Sequence, residues 1–492
     1  MSEWTIPDRV CFGRSPMYVI NSIIALAIMI GFKYVVPAAD PLTPLGVEIL
    51  GILLGTLYGW LIVGDVIWPS VVCLVLLGLS DYTTVQDAFT SGFGNNSVLL
   101  MLFFFLFTNI LSAAGIIQFI AKWIATRKIA YGKPWVLSLL LMVAAVACFF
   151  MVSGTAAFLV MIPLVKSIAG LYGFTPGSKW PMAIMFGLVY IGSTSYIILP
   201  YKSLPLIVFG VYESSTGTSI PMGPYMIVIA VSIVVSFALF LLFTKFVVRP
   251  DVSPILRCSL DASEVPPLSR YQRFVLGYFC VVLLLLILPN LLPATLPVIG
   301  TLKSIGNVGI LALSIVFFLA CKIKGAITLN QLFAHNVAWR IIFLLSAAMA
   351  ISKPFTAKET GISDWIVSLI TPIVAGRSTF VVVIIISVLG LTLVNLANNQ
   401  AICALFTPII ISIGTALDAN LATLVVCMMA ACNVGIITPP ATTLSALLHN
   451  DPAWIPGHAA YSYGLIYSLF NLLNTIFVIY PLCSLFDKLP IE

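Results

Sequence analysis

Long apolar runs separated by short polar breaks follow one another along the whole chain. A helix needs about 20 apolar residues to cross a bilayer. Runs of that kind predict spans over about 17–36, 46–63, 65–80, 97–120, 181–200, 224–247, 274–293, 305–322, 338–352, 421–448 and 461–486. Two further runs, 134–170 and 376–416, are nearly twice spanning length. Small polar residues interrupt each midway, Ser153-Gly154-Thr155 in one and Asn398-Asn399-Gln400 in the other. The pattern predicts half-length helices meeting at a polar tip inside the membrane. Such a re-entrant hairpin is tolerable only against protein or a water-filled cavity. The fold class is therefore an all-α polytopic membrane protein with about 11 transmembrane helices plus two re-entrant hairpins.

Composition narrows this only by exclusion. Of 492 residues, 61% are hydrophobic and 8% charged, with a mean hydropathy of +1.14. So apolar a surface would not stay in solution, and a disordered chain needs the opposite balance. The runs are continuous rather than short and alternating, which excludes a strand-built barrel. The net charge of +6 does not indicate a nucleic-acid partner, because Lys and Arg are scattered at segment ends. Six of the ten Cys lie inside apolar runs with no CxxC, as small hydrophobes in packed helices do. No cleavable signal is evident: the first run is of full spanning length and no A-x-A site follows it.

Charge placement gives an orientation. With the N-terminus in the cytoplasm and both hairpins returning to their own side, sixteen of the 23 Lys and Arg face inward. Lys33, Lys202, Lys303, Lys353, Lys358, Arg377 and Lys488 face outward, a bias in the sense of the positive-inside rule. The expectation is a multi-pass protein of the cell (inner or plasma) membrane with an external C-terminus. The one long polar stretch, Arg249 to Arg273, reads as a cytoplasmic linker between two halves.

The halves echo each other. Ala88-Phe89 opens a segment that ends at Ala114-Gly115-Ile116, and Leu332-Phe333 opens one that ends at Thr360-Gly361-Ile362. Gly115 to Gly154 is 39 positions and Gly361 to Asn399 is 38. Polar breaks follow at Gly192-Ser193-Thr194-Ser195 and at Gly435 to Pro440, 38 positions after Gly154 and 36 after Asn399. An odd number of spans separates the two hairpins, so the units insert with opposite orientation. Inverted repeats of this kind are a usual build of secondary transporters.

The polar breaks carry the candidate chemistry. Helix N-termini inside the membrane favour anions, and unwound carbonyls beside them can coordinate Na⁺. Ser153 and Thr155 offer hydroxyls, and Asn398, Asn399 and Gln400 offer amides. The competing reading is that these residues only cap helices or join helix faces. Ionisable residues in the spans are few. Glu48 and Asp65 lie near segment ends, and no Asp/Glu/His chain of a proton pump is present. No nucleotide-binding GxxxxGK[ST] occurs, so transport would be secondary. The leading expectation is a carrier of small anions. The alternative is a cation/proton antiporter, which would need a titrating carboxylate in the membrane. An enzyme would need a nucleophile–base pair or metal cluster, and a channel would not need paired hairpins.

These residues resemble the divalent anion/sodium symporter family, within the wider ion-transporter superfamily. Members carry a Ser-Asn-Thr motif at each hairpin tip and a Thr-Pro-Pro element in each later broken span. The matching stretches are Met151–Ala157 (MVSGTAA) with Met161-Ile162-Pro163, and Asn395–Ala401 (NLANNQA) with Phe406-Thr407-Pro408. Phe89–Val98 looks like the family's fourth span, and Thr438-Pro439-Pro440 matches the second Thr-Pro-Pro. The likeness runs from about residue 45 to 485.

The resemblance implies a homodimer in which a transport domain moves against a scaffold in elevator fashion. It implies di- or tricarboxylate or sulfate as substrate, Na⁺ as coupling ion or exchange instead, and no resident cofactor. Scaffold helices would fall in 1–80 and 274–330, and the repeats in 81–248 and 331–487. Carried over, substrate would meet Ser153, Gly154, Thr155, Asn398, Asn399 and Gln400, and also Ser195, Lys202, Thr438 and Pro439. Na⁺ would meet Ser153, Ala397, Asn399 and Thr438. There are departures. Gly154 stands where the motif has Asn, which removes a side-chain ligand at a first sodium site. Asn398 and Gln400 stand for Ser and Thr, and Ser195–Ser203 keeps little of the first Thr-Pro-Pro. Lys202 beside it is either a fixed positive charge at the site or a lysine snorkelling to the outer rim.

Overall fold

The structure is a computed structural model that describes residues 16–116, 119–120, 123, 127–257, 267–292, 296–321, 331, 337–374, 377–395, 399–439, 441–449 and 451–486. Helices account for nearly all of it, and no strand occurs among the described residues. In order they are α1 (Pro16–Val35), α2 (Pro44–Tyr58), α3 (Ile67–Leu79), α4 (Val85–Phe93) and α5 (Asn96–Ala113). The first hairpin is α6 (Pro134–Met151) and α7 (Gly154–Leu171), followed by α8 (Lys179–Tyr196), α9 (Ser203–Thr216) and α10 (Met222–Leu242). Then come α11 (Arg270–Leu291), α12 (Pro297–Ala320), α13 (Trp339–Thr356) and α14 (Ile362–Val374). The second hairpin is α15 (Thr379–Val394) and α16 (Asn399–Ala416). It precedes α17 (Leu421–Asn433), α18 (Thr443–His449) and α19 (Gly457–Asn474), which continues helically to Phe486.

Among the described residues nine helices are long and apolar enough to cross a membrane, or ten with α4 and α5 taken as one span bent by 47°. Large apolar side chains such as Val234, Leu313 and Phe477 point outward, as lipid-facing residues of a multi-pass membrane protein do. Hairpin, broken span and long helix occur in that order in each half. Gly115 and Gly361, the landmarks of the repeat, both adopt the left-handed conformation, with φ of 68° and 65°. That conformation ends a helix at little steric cost only for glycine.

Several expectations need correction. The hairpin arms hold 16 to 18 residues, about 27 Å at 1.5 Å per residue for the longer ones. They are therefore not half-length. The span expected over 97–120 stops at Ala113, because Gly115 turns the chain. That over 305–322 begins earlier, at Pro297, and is kinked at Gly306 (φ 69°, ψ 164°). The first polar break does not unwind at Gly192–Ser195. Thr194 and Ser195 donate their hydroxyls to the carbonyls of Tyr190 and Ile191 at 2.9 and 2.7 Å, so these residues complete α8. The chain opens after Tyr196, where Pro200 has no N–H to continue a helix. It restarts as α9, a helix the apolar pattern did not mark. The second break does fall as expected, between Asn433 and Thr443. Within the expected linker, 258–266 lies outside the described residues.

The halves interlock. In the first half α6 and α7 pack on α8, and in the second α15 and α16 pack on α17. Across the halves, α9 lies against α16, and α13 lies against α3, α4 and α9. Asn474 on α19 donates to Ser232 and Ser236 on α10 at 2.8 and 3.0 Å, a polar joint inside an apolar interface. Lys166 on α7 pairs with Asp451 after α18 at 2.5 Å. At the tips, Gln400 reaches Ser203 of the first broken span and Asn395 is held by Ile437 and Thr438 of the second.

Candidate substrate-binding site

The first tip is built by two extended residues. Val152 (φ −132°, ψ −174°) ends α6, and Ser153 (φ −64°, ψ 148°) caps α7, its hydroxyl accepting from the Ala156 N–H at 3.3 Å. Serine suits this position because its oxygen replaces a missing helical acceptor. Gly154 and Thr155 follow as the first residues of α7, whose N–H groups have no acceptor within the helix. At the second tip Asn395 ends α15 and Asn399 opens α16. The Asn395 side chain accepts from the Ile437 N–H at 3.0 Å, and the Thr438 hydroxyl donates to its carbonyl. These bonds fasten the tip to the second broken span.

Between the tips lies a cavity of about 480 Å³, within the roughly 300–1,000 Å³ usual for small-molecule sites. Ser153, Gly154 and Thr155 line it from the first hairpin, and Asn399 and Gln400 from the second. Thr108 and Asn109 enter from α5, Ser193, Tyr196 and Ser203 from the first broken span, and Asn433, Thr442 and Thr443 from the second. A chain of hydrogen bonds crosses between halves. Gln400 donates to the Ser203 hydroxyl at 3.0 Å, and that hydroxyl pairs with Tyr196 at 2.9 Å. Asn433 donates to the Ser193 carbonyl at 2.7 Å. No Asp, Glu, Lys, Arg or His is among the described lining residues. The wall consists of hydroxyls, amides, two helix N-termini and apolar side chains. Such a wall can donate to an anion without holding a compensating negative charge.

Five of the residues singled out from the sequence meet in this cavity: Ser153, Gly154, Thr155, Asn399 and Gln400. Ser195 does not, being buried with its hydroxyl turned back into α8. Thr438 and Pro439 lie behind the second tip, outside the lining. Ala397 and Asn398 lie outside the described residues. Lys202 is not at the outer rim. It is 2% exposed, and its ammonium donates to the Val152 carbonyl at 2.7 Å, one layer behind the wall. Glu48 and Asp65 are not among the residues that line the cavity, and each has its own partner, Lys33 at 2.6 Å and Tyr18 at 3.0 Å. Thr108-Asn109 was legible as a polar pair inside the apolar run of α5. Asn433 was legible too, two residues ahead of Gly435.

Known proteins share this architecture. A family model described as citrate transporter matches residues 58–432. The chain belongs to this citrate transporter family. A curated relative, the sodium-dependent dicarboxylate transporter SdcS of Staphylococcus saprophyticus, is 22% identical over 429 residues, covering 83% of this chain and 81% of the relative. Two solved structures share the fold. One is the YdaH transporter of Alcanivorax borkumensis, with a TM-score of 0.58, 17% identity and coverage of 95% of this chain and 98% of that one. The other is MtrF of Neisseria gonorrhoeae, from a class of antimetabolite efflux pumps, with a TM-score of 0.61, 15% identity and 95% coverage of both. The family and this relative are transporters, not enzymes.

Proposed function

We propose that this protein is a secondary carrier of small carboxylates, di- or tricarboxylates, which bind in the cavity between the two hairpin tips. The observation that carries the reading is the chemistry of the wall. It has hydroxyl and amide donors and two helix N-termini but no carboxylate among its described residues. The citrate transporter family and the dicarboxylate relative support the same substrate class. Ser153, Thr155, Asn399 and Gln400 would hold the carboxylates, with the Gly154 N–H aimed between them. Na⁺ is the proposed coupling ion, held at the second tip by backbone carbonyls together with Asn399 and Thr438. The sodium-dependent relative supports this choice. The repeats 81–248 and 331–487 would carry the site past scaffold helices in 1–80 and 274–330, within a homodimer whose N-termini face the cytoplasm. A cation/proton antiporter is the competing reading, and it lacks a carboxylate among the described residues of the wall.

The test is uptake of labelled citrate and succinate into proteoliposomes under an inward Na⁺ gradient, an inward proton gradient, or neither. Uptake driven by Na⁺ is expected. Absence of carboxylate uptake under every gradient, with Na⁺ efflux driven by protons, would establish the antiporter instead.

A further inference from the structure

Lys202 is a buried cation that the proposed site does not use. It stands last before α9, and its ammonium lies 5.3 and 5.0 Å from the ring centres of Phe104 and Tyr196. No carboxylate lies within ion-pair distance of it among the described residues. A small gap beside it is lined by Thr108, Ser153, Tyr196 and Ser203, all four of which also line the large cavity. A buried ammonium without a counter-ion is strongly unfavourable and keeps its proton only where an anion comes near, because aromatic faces with one carbonyl recover only part of the lost hydration. The nearest place for a negative partner is the cavity itself.

The group that binds this ammonium decides its role. Carbonyls at the C-terminal ends of membrane-embedded half-helices are where carriers hold coupling cations. The Val152 carbonyl, at the C-terminal end of the hairpin arm α6, is an end of that kind though α6 is longer than a half-helix, and here an ammonium occupies it at 2.7 Å. Next to it Gly154 offers no side-chain ligand. A Cβ at Gly154 would meet only ordinary contacts, 3.5 Å from Phe149 and 3.8 Å from Leu444, so packing does not demand glycine there. The second tip differs. At the matching end of α15, Asn395 is engaged by Thr438 and Ile437, both neutral.

We infer that Lys202 is a tethered cation that takes the place of an exchangeable Na⁺ at the first hairpin tip, leaving the second tip to bind the coupling ion. The inference rests on the carboxylate reading of the cavity.

Its test uses the purified full chain, with NaCl exchanged for choline chloride at constant ionic strength and with citrate and succinate as probes. Binding is read by calorimetry and by thermal shift. For wild type, the Na⁺ dependence of citrate binding is expected to have a Hill coefficient of about one. Lys202→Met is expected to lose citrate affinity by at least about tenfold. The double variant G154N/K202M restores an amide beside a vacated carbonyl. It is expected to regain binding with a steeper Na⁺ dependence, a Hill coefficient raised by about one. A merely structural lysine would change melting temperature without changing that coefficient. Lys202→Met that matches wild type in affinity and Na⁺ dependence overturns the inference, and so does a wild-type Hill coefficient of two or more. If Lys202→Met does not fold, the wild-type coefficient decides alone. Wild type that binds neither citrate nor succinate at any Na⁺ concentration sinks the carboxylate reading. Wild type that binds them while Lys202→Met binds equally sinks only the tethered cation.

Discussion

Asn399→Asp places one negative charge on the cavity wall, at a residue also proposed to hold Na⁺, so the repulsion is worked out for the site before Na⁺ binds. The two side chains are nearly isosteric. Asn399 is the first residue of α16, where an acidic residue suits the positive end of the helix. Its backbone N–H, which donates to the Ala441 carbonyl at 3.3 Å, is unaffected. A sphere of 480 Å³ has a radius of about 5 Å, so a wall charge lies about that far from a centred ligand. At an effective dielectric constant of about 20, unit charges at that separation repel by about 3 kcal/mol. Water in the cavity reduces this by about half, leaving roughly 1.5 kcal/mol, or about tenfold in affinity, per ligand charge. Succinate is then expected to bind about a hundredfold more weakly than to wild type, and citrate more weakly still. Calorimetry on purified protein with NaCl replaced by choline chloride, so that no Na⁺ neutralises the new charge, measures this, with the ligand-free melting temperature as a check on folding. Unchanged or tightened carboxylate binding in a well-folded variant would refute the claim that this cavity holds an anion.

Ser153→Ala removes a helix cap worth about 1 kcal/mol together with one proposed donor to the ligand. Both melting temperature and succinate affinity should fall, and Ser153→Thr should restore the first. Asn474→Ala removes the bonds to Ser232 and Ser236 far from the cavity. It should destabilise by about 1–2 kcal/mol without changing the succinate dissociation constant, as thermal shift and calorimetry would report. Gly361→Ala should prevent folding. Its Cβ would lie 1.8 Å from the Pro41 carbonyl oxygen at a φ of 65°, and the monodisperse fraction after detergent extraction reads the outcome.

The two hairpins were legible almost to the residue, expected over 134–170 and 376–416 and found from Pro134 to Leu171 and from Thr379 to Ala416. A polar break midway along so long an apolar run fits a turn sheltered inside the protein better than one straight helix facing lipid. The length of their arms was not legible, because an apolar run records burial and not the depth at which the chain turns. The first broken span was misplaced for a different reason. Ser and Thr inside a helix can return their hydroxyls to the carbonyl four residues back, so polarity at Thr194 and Ser195 did not mean unwinding. The residue that does interrupt the helix is Pro200, hidden among Ile197, Ile198 and Leu199. The choice between the two readings of Lys202 turns on the same break. A span running on to residue 200 would deliver it to the outer rim. A helix that stops at Tyr196 and restarts at Ser203 keeps it inside, against Phe104 and Val152.

The asymmetry between the tips sets a charge balance for the ligand. Each helix N-terminus presents about half a positive charge, and both α7 and α16 open at the cavity. With Lys202 as the inferred tethered cation behind the first tip, the protein would supply about two positive charges before any ion binds. A dicarboxylate is nearly balanced by that alone, whereas a tricarboxylate is left with about one negative charge. Na⁺ at the second tip is the group that would make up the difference. Replacing NaCl with choline chloride is therefore expected to raise the dissociation constant of citrate by a larger factor than that of succinate. Protonation of citrate weakens the contrast and loss of the Lys202 proton would remove it, so the comparison is made at about pH 7. Equal factors for the two ligands would mean that Na⁺ acts on the tip's geometry and not on the ligand's charge, and the balance drawn from Lys202 would fail with them.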